Sequence, residues 1–203
     1  MNRDVMICGV GGQGTVLASK IIAAAAMEEG SVVHSAETIG MAQRGGSVTS
    51  HVRIGERAQS PLIPLGSADM ILSFEPAEAV RNLAYLKEGG IVIVNTTPVK
   101  PVTESLCETG YDGTEMLEYL EKKCRVIAVD GDDACSQLGS AKFLNIFLLG
   151  VAAGSGALSI ADETLLGEIR KRVPARFVDS NVKAFEMGQE IFNVQGETED
   201  EAQ

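Results

Sequence analysis

Tryptophan is absent and aromatic residues make up only 4% of the chain, although 45% of its 203 residues are hydrophobic. A core built from them must be aliphatic and alanine-rich, and there is enough of it for one domain of ordinary size. Basic residues are also in short supply. Lysine and arginine number 17 against 28 aspartates and glutamates, a net charge of -11. Phosphate binding needs clustered positive charge, so this balance argues against nucleic acid and against an anionic membrane surface. Cys8, Cys107, Cys124 and Cys135 include no CxxC pair, so neither an iron-sulfur cluster nor a zinc site has its ligands here. His34 and His51 are the only histidines, each within a strand pattern, and structural roles suit them better than catalysis. No GxSxG nucleophile turn occurs. The most apolar helix, Phe143 to Ala153, is too short to span a bilayer. Without a signal peptide, a cytoplasmic protein with free thiols is expected.

Glycine, by contrast, is plentiful where it counts. Asp4 to Cys8 reads as a buried strand, Gln13 to Glu29 as a helix, and Gly9, Gly11, Gly12 and Gly14 sit at the join. Glycines let the chain turn sharply there and leave no Cβ between it and a docking group. The amides of the first helical turn point at the same spot, which suits a phosphate or carboxylate. Gly9, Gly11 and Gly14 match the dinucleotide fingerprint in spacing and context. A P-loop is rejected, because Thr15-Val16 stands where Lys-Ser or Lys-Thr is needed. Gln13 belongs to this candidate ligand loop, and close strand-helix packing is the alternative role for its glycines.

Gly30 ends the helix and Ser31 to Ser35 reads as a second strand. Glu37 to Gly46 is polar and too short for a helical crossover. Ser47 to Ile54 alternates in polarity, predicting an antiparallel or edge strand and hence a mixed sheet. Ser60 to Gly66 is a loop, and Asp69 to Phe74 a buried strand. Pro76 opens a helix that Gly89-Gly90 closes. Ile91 to Val94 is an interior strand followed by a polar loop, Asn95 to Lys100. Asp112 with Glu115 forms a capping box for a helix through Cys124, and Arg125 to Val129 is the last strand. Helices follow near Asp130, over Ala141 to Ala153, Ala161 to Val173 and Ser180 to Phe192. The pattern is α/β, a Rossmann-like doubly wound mixed sheet with a helical C-terminal third. Residues 1–194 form a single domain in this reading, and the acidic tail 195–203 is disordered.

The second unusual stretch is Glu37-Thr38-Ile39-Gly40-Met41-Ala42-Gln43-Arg44-Gly45-Gly46. It leaves the second strand on the side where the glycine loop should open. Arg44 beside two glycines offers a charged fork on backbone that another surface can approach closely. Glu37 lies where a dinucleotide fold puts its ribose-binding acid. Asp130, Asp132 and Asp133 suit helix capping better than calcium. The apolar run Phe143 to Leu149, including Asn145 and Phe147, suits a core, and its continuity also suits a subunit interface. No general base, nucleophile or metal set accompanies the two loops, so the chain is not expected to catalyse alone.

Gly9-Val10-Gly11-Gly12-Gln13-Gly14 together with Glu37 to Val48 resembles the gamma-type domain of the 2-oxoacid:ferredoxin oxidoreductases. The second motif, with His51-Val52-Arg53-Ile54-Gly55 after it, is most like the beta-type small subunit of the indolepyruvate branch. Leu138-Gly139, Asn145 and Leu149-Gly150 resemble that family's helical segment, and Asn181 to Gly188 its closing helix. Ser140 departs from it, standing where asparagine is expected.

The resemblance implies a large alpha subunit carrying thiamine diphosphate, Mg2+ and 4Fe-4S clusters, with none of these held by this chain alone. The complete enzyme would decarboxylate an arylpyruvate, pass electrons to ferredoxin and release an aryl-acetyl-CoA. The small subunit would complete the cleft on its coenzyme A side. Glu37, Gln43, Arg44, Gly45, Gly46 and Arg53 are then candidate contacts to substrate, CoA or partner, with Asn145 and Phe147 toward a subunit interface. Whether the isolated chain forms a homodimer stays open. A nicotinamide-dependent dehydrogenase and a non-catalytic assembly module remain as rival readings.

Overall fold

The computed structural model describes residues 2–39, 45–100 and 110–200. In chain order the elements are β1 (Arg3–Val10), α1 (Thr15–Glu28), β2 (Val33–Ile39), β3 (Ser47–Ile54), β4 (Ala68–Ser73), α2 (Pro76–Asn82) and β5 (Leu86–Asn95). Then come α3 (Thr114–Glu121), β6 (Arg125–Val129), α4 (Gly131–Leu138), α5 (Leu144–Gly154), α6 (Asp162–Arg172) and α7 (Val178–Asp200). The strands make one six-stranded sheet in the order β2-β3-β1-β4-β5-β6. β1, β4, β5 and β6 run parallel, and β3 is antiparallel to both of its neighbours. The expected mixed α/β sheet is therefore present. β3 is antiparallel as its alternation predicts, but it lies inside the sheet, between β1 and β2.

Alternation along β1 assigns its side chains to two cores. Val5 and Ile7 join Met70, Leu72 and Ile93 beneath α1 and α4 to α7. Met6 and Cys8 join Ile71, Val92, Val94, Ala79 and Leu120 on the α2 and α3 side. Helix α5 is apolar on every face apart from Asn145 and is buried from Leu144 to Ala152. Its backbone meets that of α7 at two glycines. A Cβ on Gly150 would lie 2.0 Å from the carbonyl oxygen of Phe185, and one on Gly188 would lie 2.2 Å from that of Phe147. Only glycine permits so close a crossing.

Several local expectations are corrected. Gly89-Gly90 does not close a helix but lies within β5. The ladder jumps there from Ala68–Leu86 to Met70–Ile91, and Gly89 takes φ +71, so the pair forms a bulge. The capping box fails: α3 begins after Gly113 in the left-handed region, and Asp112 accepts from the Thr114 amide at 2.9 Å as a turn residue. β2 extends to Ile39, so Glu37 is a strand residue. Helix α7 spans Val178 to Asp200. Asp130 does cap α4, accepting from the amides of Asp132 and Asp133.

Candidate functional site

The carboxyl ends of β1, β4 and β5, with the start of antiparallel β3, converge on one edge of the sheet, the side on which open α/β sheets bind ligands. The glycine loop 9–14 lies on it. Ladder pairing does not stop at Val10 and Ser47: the Gly11 amide donates to the Gly46 carbonyl at 2.8 Å, and the Gly45 amide donates back to the Gly11 carbonyl at 3.3 Å. The two motifs singled out in the sequence are thus joined backbone to backbone.

The loop glycines divide by task. Gly9 leaves no room for a side chain, since a Cβ would fall 2.9 Å from both Phe74 Cβ and Thr15 Cγ2. Gly14 caps α1 at φ +88 with Asn145 Nδ2 pressed against it. Gly12, at φ +105, has open space where a Cβ would stand. Gln13 braces the loop from within: its Oε1 accepts from the Val10 amide at 2.8 Å and its Nε2 donates to the Phe74 carbonyl at 2.9 Å. Among the described residues, the amides of Gly14, Thr15 and Val16 meet no acceptor. With the positive end of α1 behind them, they form an anion-type surface.

Below the loop lies a buried polar cluster that local sequence pattern did not disclose. Glu75 and Glu78 are 2% and 3% exposed. Glu75 caps α2 through the Glu78 amide at 3.0 Å and accepts from the hydroxyl of Tyr111. Glu78 accepts from Ser47 Oγ at 2.6 Å and pairs with Arg81. Burial raises the Glu75 carboxyl above its usual range, and burial together with Glu75 raises the Tyr111 phenol. The Glu78–Ser47 bond ties α2 to the first residue of β3, next to the Gly45-Gly46 stitch. The one hint in the sequence was Phe74-Glu75-Pro76, an acid between a buried strand end and a helix-opening proline.

The other candidate residues fare differently. Gln43 and Arg44 lie outside the described residues. Glu37 accepts from Ser19 Oγ at 3.2 Å, and its strand is separated from β1 by β3, so it does not stand beside the glycine loop as a ribose-binding acid does in a dinucleotide fold. Arg53 is engaged within the chain. Its guanidinium grips Asp4 at 2.8 and 3.0 Å and donates to the carbonyls of Ser60 and Leu62. The length of β1 puts it roughly 20 Å from the glycine loop, at the opposite end of the strands. Asn145 and Phe147 are buried within the chain, at 6% and 0% exposure, where α7 covers α5.

His51 is structural: its Nδ1 accepts from the Ile63 amide at 3.2 Å, and its ring stands edge-on to Tyr85. Burial pushes the Cys8 thiol up to about 12 and the Cys135 thiol up to about 11, which keeps both protonated. Cys107 lies outside the described residues. Ser140 caps the turn 141–143, accepting from the Lys142 amide at 3.3 Å.

The family described as pyruvate ferredoxin/flavodoxin oxidoreductase matches residues 4–191. The indolepyruvate oxidoreductase subunit IorB of Archaeoglobus fulgidus is 40% identical over 190 residues, covering 93% of this chain and 94% of that one. Its counterpart in Thermococcus kodakarensis is 37% identical over 188 residues, covering 91% and 93%. The crystal structure of a keto/oxoacid ferredoxin oxidoreductase gamma subunit from Geobacter sulfurreducens superimposes with a TM-score of 0.68 at 26% identity, covering 93% of this chain and 96% of that one.

Proposed function

The chain belongs to the pyruvate ferredoxin/flavodoxin oxidoreductase family, among its 2-oxoacid:ferredoxin small subunits, and on that premise we propose that it serves a thiamine-diphosphate-dependent indolepyruvate (arylpyruvate):ferredoxin oxidoreductase. The assembled enzyme would release CO2 from the oxoacid, pass the electrons to ferredoxin and join the aryl-acetyl group to the thiol of CoA. In this reading residues 1–194 act as one gamma-type domain, and a large alpha subunit holds thiamine diphosphate, Mg2+ and the 4Fe-4S clusters. Among the described residues of this chain, no three His, Cys, Asp or Glu side chains are placed to share a metal. Nor is any single helix among them long and apolar enough to cross a membrane, and we place the complex in the cytoplasm.

The observation that carries the reading is the Gly11–Gly45/Gly46 stitch. It brings the open amides of the first α1 turn and the backbone of Gly45 and Gly46 to one edge. That edge suits the phosphates of CoA or the carboxylate of the oxoacid, with the charge-assisted fork of Arg44 as the second contact. The residues present fit an anion; they bind and orient it, and the chemistry belongs to the cofactors of the partner.

Two rival readings lose support. A dinucleotide pyrophosphate needs the loop amides free and an acid on the adjacent strand, whereas Gly11 is engaged and β3 stands between Glu37 and β1. An assembly module using the Phe143–Leu149 run needs that run exposed, and it is buried in the chain.

Co-expression with the thiamine-binding partner, followed by arylpyruvate-dependent viologen reduction with and without CoA, tests the assignment. Activity that requires both chains supports it. Arg44→Ala in the assembled complex should raise the KM for CoA or for the oxoacid; normal assembly with both constants unchanged would sink the anion role.

A further inference from the structure

Two strands form the margins of the sheet, and they differ in how well they are guarded. β6 has five residues, opens on Arg125 just after Lys122 and Lys123, and packs against α3. A short strand with charge at its start is a poor template for another chain. β2 has seven residues, Val33-His34-Ser35-Ala36-Glu37-Thr38-Ile39, with no proline, lysine or arginine among them. Its pairing with β3 runs unbroken from Val33 to Ile39, so no bulge turns the edge away. Among the described residues β3 is its one hydrogen-bonded neighbour, and Ser35, Glu37 and Thr38 are exposed.

The ladder decides which backbone groups of β2 stand idle. The Gly55 amide donates to the Val32 carbonyl at 2.7 Å, in register with the pairing of Val33 and Ile54. Antiparallel pairs alternate between hydrogen-bonded and non-hydrogen-bonded, so Val32, His34, Ala36 and Thr38 turn their N–H and C=O groups toward β3. Val33, Ser35, Glu37 and Ile39 turn theirs outward, along the open edge.

We propose that this edge is completed by β2 of a second copy, antiparallel across a two-fold axis at Ala36. That register pairs the outward positions among themselves: Val33 stands opposite Ile39 and Ser35 opposite Glu37, each pair exchanging two N–H···O bonds. An axis at Glu37 would set two carboxylates directly opposite, a destabilising pair. An axis at Ser35 would leave Ile39 facing Ser31, outside the partner's strand. At Ala36 the axis passes through a non-hydrogen-bonded pair, where facing Cα atoms approach to about 4.5 Å and a small side chain fits. On the face toward α1, the Ser35 hydroxyl of one copy meets the Glu37 carboxylate of the other, which already accepts from its own Ser19 at 3.2 Å. On the opposite face His34 meets Thr38. Such a contact uses the same patch on both copies and closes on itself, joining two six-stranded sheets into one. The inference goes beyond the oxidoreductase reading and does not rest on it.

Sedimentation equilibrium of the full chain should give twice the chain mass, with monomer appearing on dilution. Ser35→Pro removes an N–H that β3 does not use, at a place where an edge strand tolerates proline. It should keep the circular dichroism of the parent and weaken self-association about tenfold or more, because the bond is lost once in each copy. Cysteine reads the register independently, even where the proline variant fails to fold. Ala36→Cys sets two thiols opposite each other on the axis, within disulfide reach, and mild oxidation should link the copies. Ser35→Cys stands diagonal to its counterpart, at about 7–8 Å, and should link far less; the parent chain with its own four cysteines is the control. A chain that stays monomeric, a dimer that persists in folded Ser35→Pro, or equal linking of the two cysteine variants would overturn the proposal. So would amides of β2 that gain protection from hydrogen exchange only when the large subunit is added, which would give the edge to a strand of that subunit. None of these readouts depends on the viologen assay of the complex.

Discussion

Gly150 and Gly188 face each other's helices so closely that neither tolerates a Cβ, each added atom falling within 2.0 to 2.2 Å of a backbone oxygen across the crossing. Backbone cannot yield as a side-chain tip can. Gly150→Ala and Gly188→Ala should each cost about 3 kcal/mol or more, within the overpacking range and beyond. Urea unfolding of the full chain measures this. A loss below about 1 kcal/mol would mean that the helices separate easily.

Ser47→Ala removes the donor that holds Glu78, leaving a nearly buried carboxylate with Arg81 as its remaining side-chain partner. A stability loss of about 1–3 kcal/mol is expected. The KM for the anionic substrate in the complex should rise as well, because β3 begins at this residue and carries the stitch to Gly11. A stability loss without a KM change would confine Ser47 to the fold.

Arg53→Ala breaks the fork on Asp4 and frees two carbonyls of the 60–62 loop, at the end of the sheet remote from the glycine loop. The chain should lose about 1–3 kcal/mol, while the KM values of the assembled enzyme stay unchanged. A selective rise in KM for CoA would return Arg53 to the site.

Two groups give opposite pH trends. Burial, with Arg53 nearby, lowers the His51 pKa below its usual 6.5. The unfolded chain then binds the proton first, so stability is full above about pH 6.5 and falls as the pH drops toward the folded pKa. Protonation takes the acceptor from the Ile63 amide. His51→Gln should flatten this acid limb in pH-dependent denaturation. Glu75 has its pKa raised by burial. The folded chain holds that proton more tightly, so its contribution is full below the unfolded value of about 4.5 and is lost as the pH climbs through the folded one. Tyr111→Phe removes the hydroxyl donor and should deepen that loss; an unchanged profile would show that the phenol does not sustain the carboxylate.

Ser50 Oγ is buried without a partner between β1 and β2. Ser50→Ala should be neutral or stabilising by a few tenths of a kcal/mol, since no bond is lost and a desolvated hydroxyl is removed.

What could be read from the sequence was local. The first strand and its glycines, the alternation of Ser47 to Ile54, the apolar α5 and the Asp130 cap each declare themselves within a few residues. Pairing does not. Gly89-Gly90 looks like a helix stop until β4 is laid beside it, and Arg53 looks like a motif residue until Asp4 arrives from the far side of the ladder. Glu37 reads as loop because it is polar, yet Ser50 opposite makes it strand. Glu75 and Glu78 form a site only because β4 ends beside β1 and β3. Their partners Tyr111 and Ser47 come from distant parts of the chain.

The place of β3 also imposes an order of events during synthesis. β1 leaves the ribosome before its neighbours in the sheet, β3 and β4, which are both made after α1 and β2. Until Ile54 has emerged to meet Arg3, the most apolar strand of the nascent chain has both edges open. The β2–β3 hairpin can close locally, whereas β1 must wait for it and then be enclosed by it, a non-local step of the slow kind. During that interval α1, with Ile21, Ile22 and the alanines of its buried face, is the neighbouring element at hand to shield β1 from other chains.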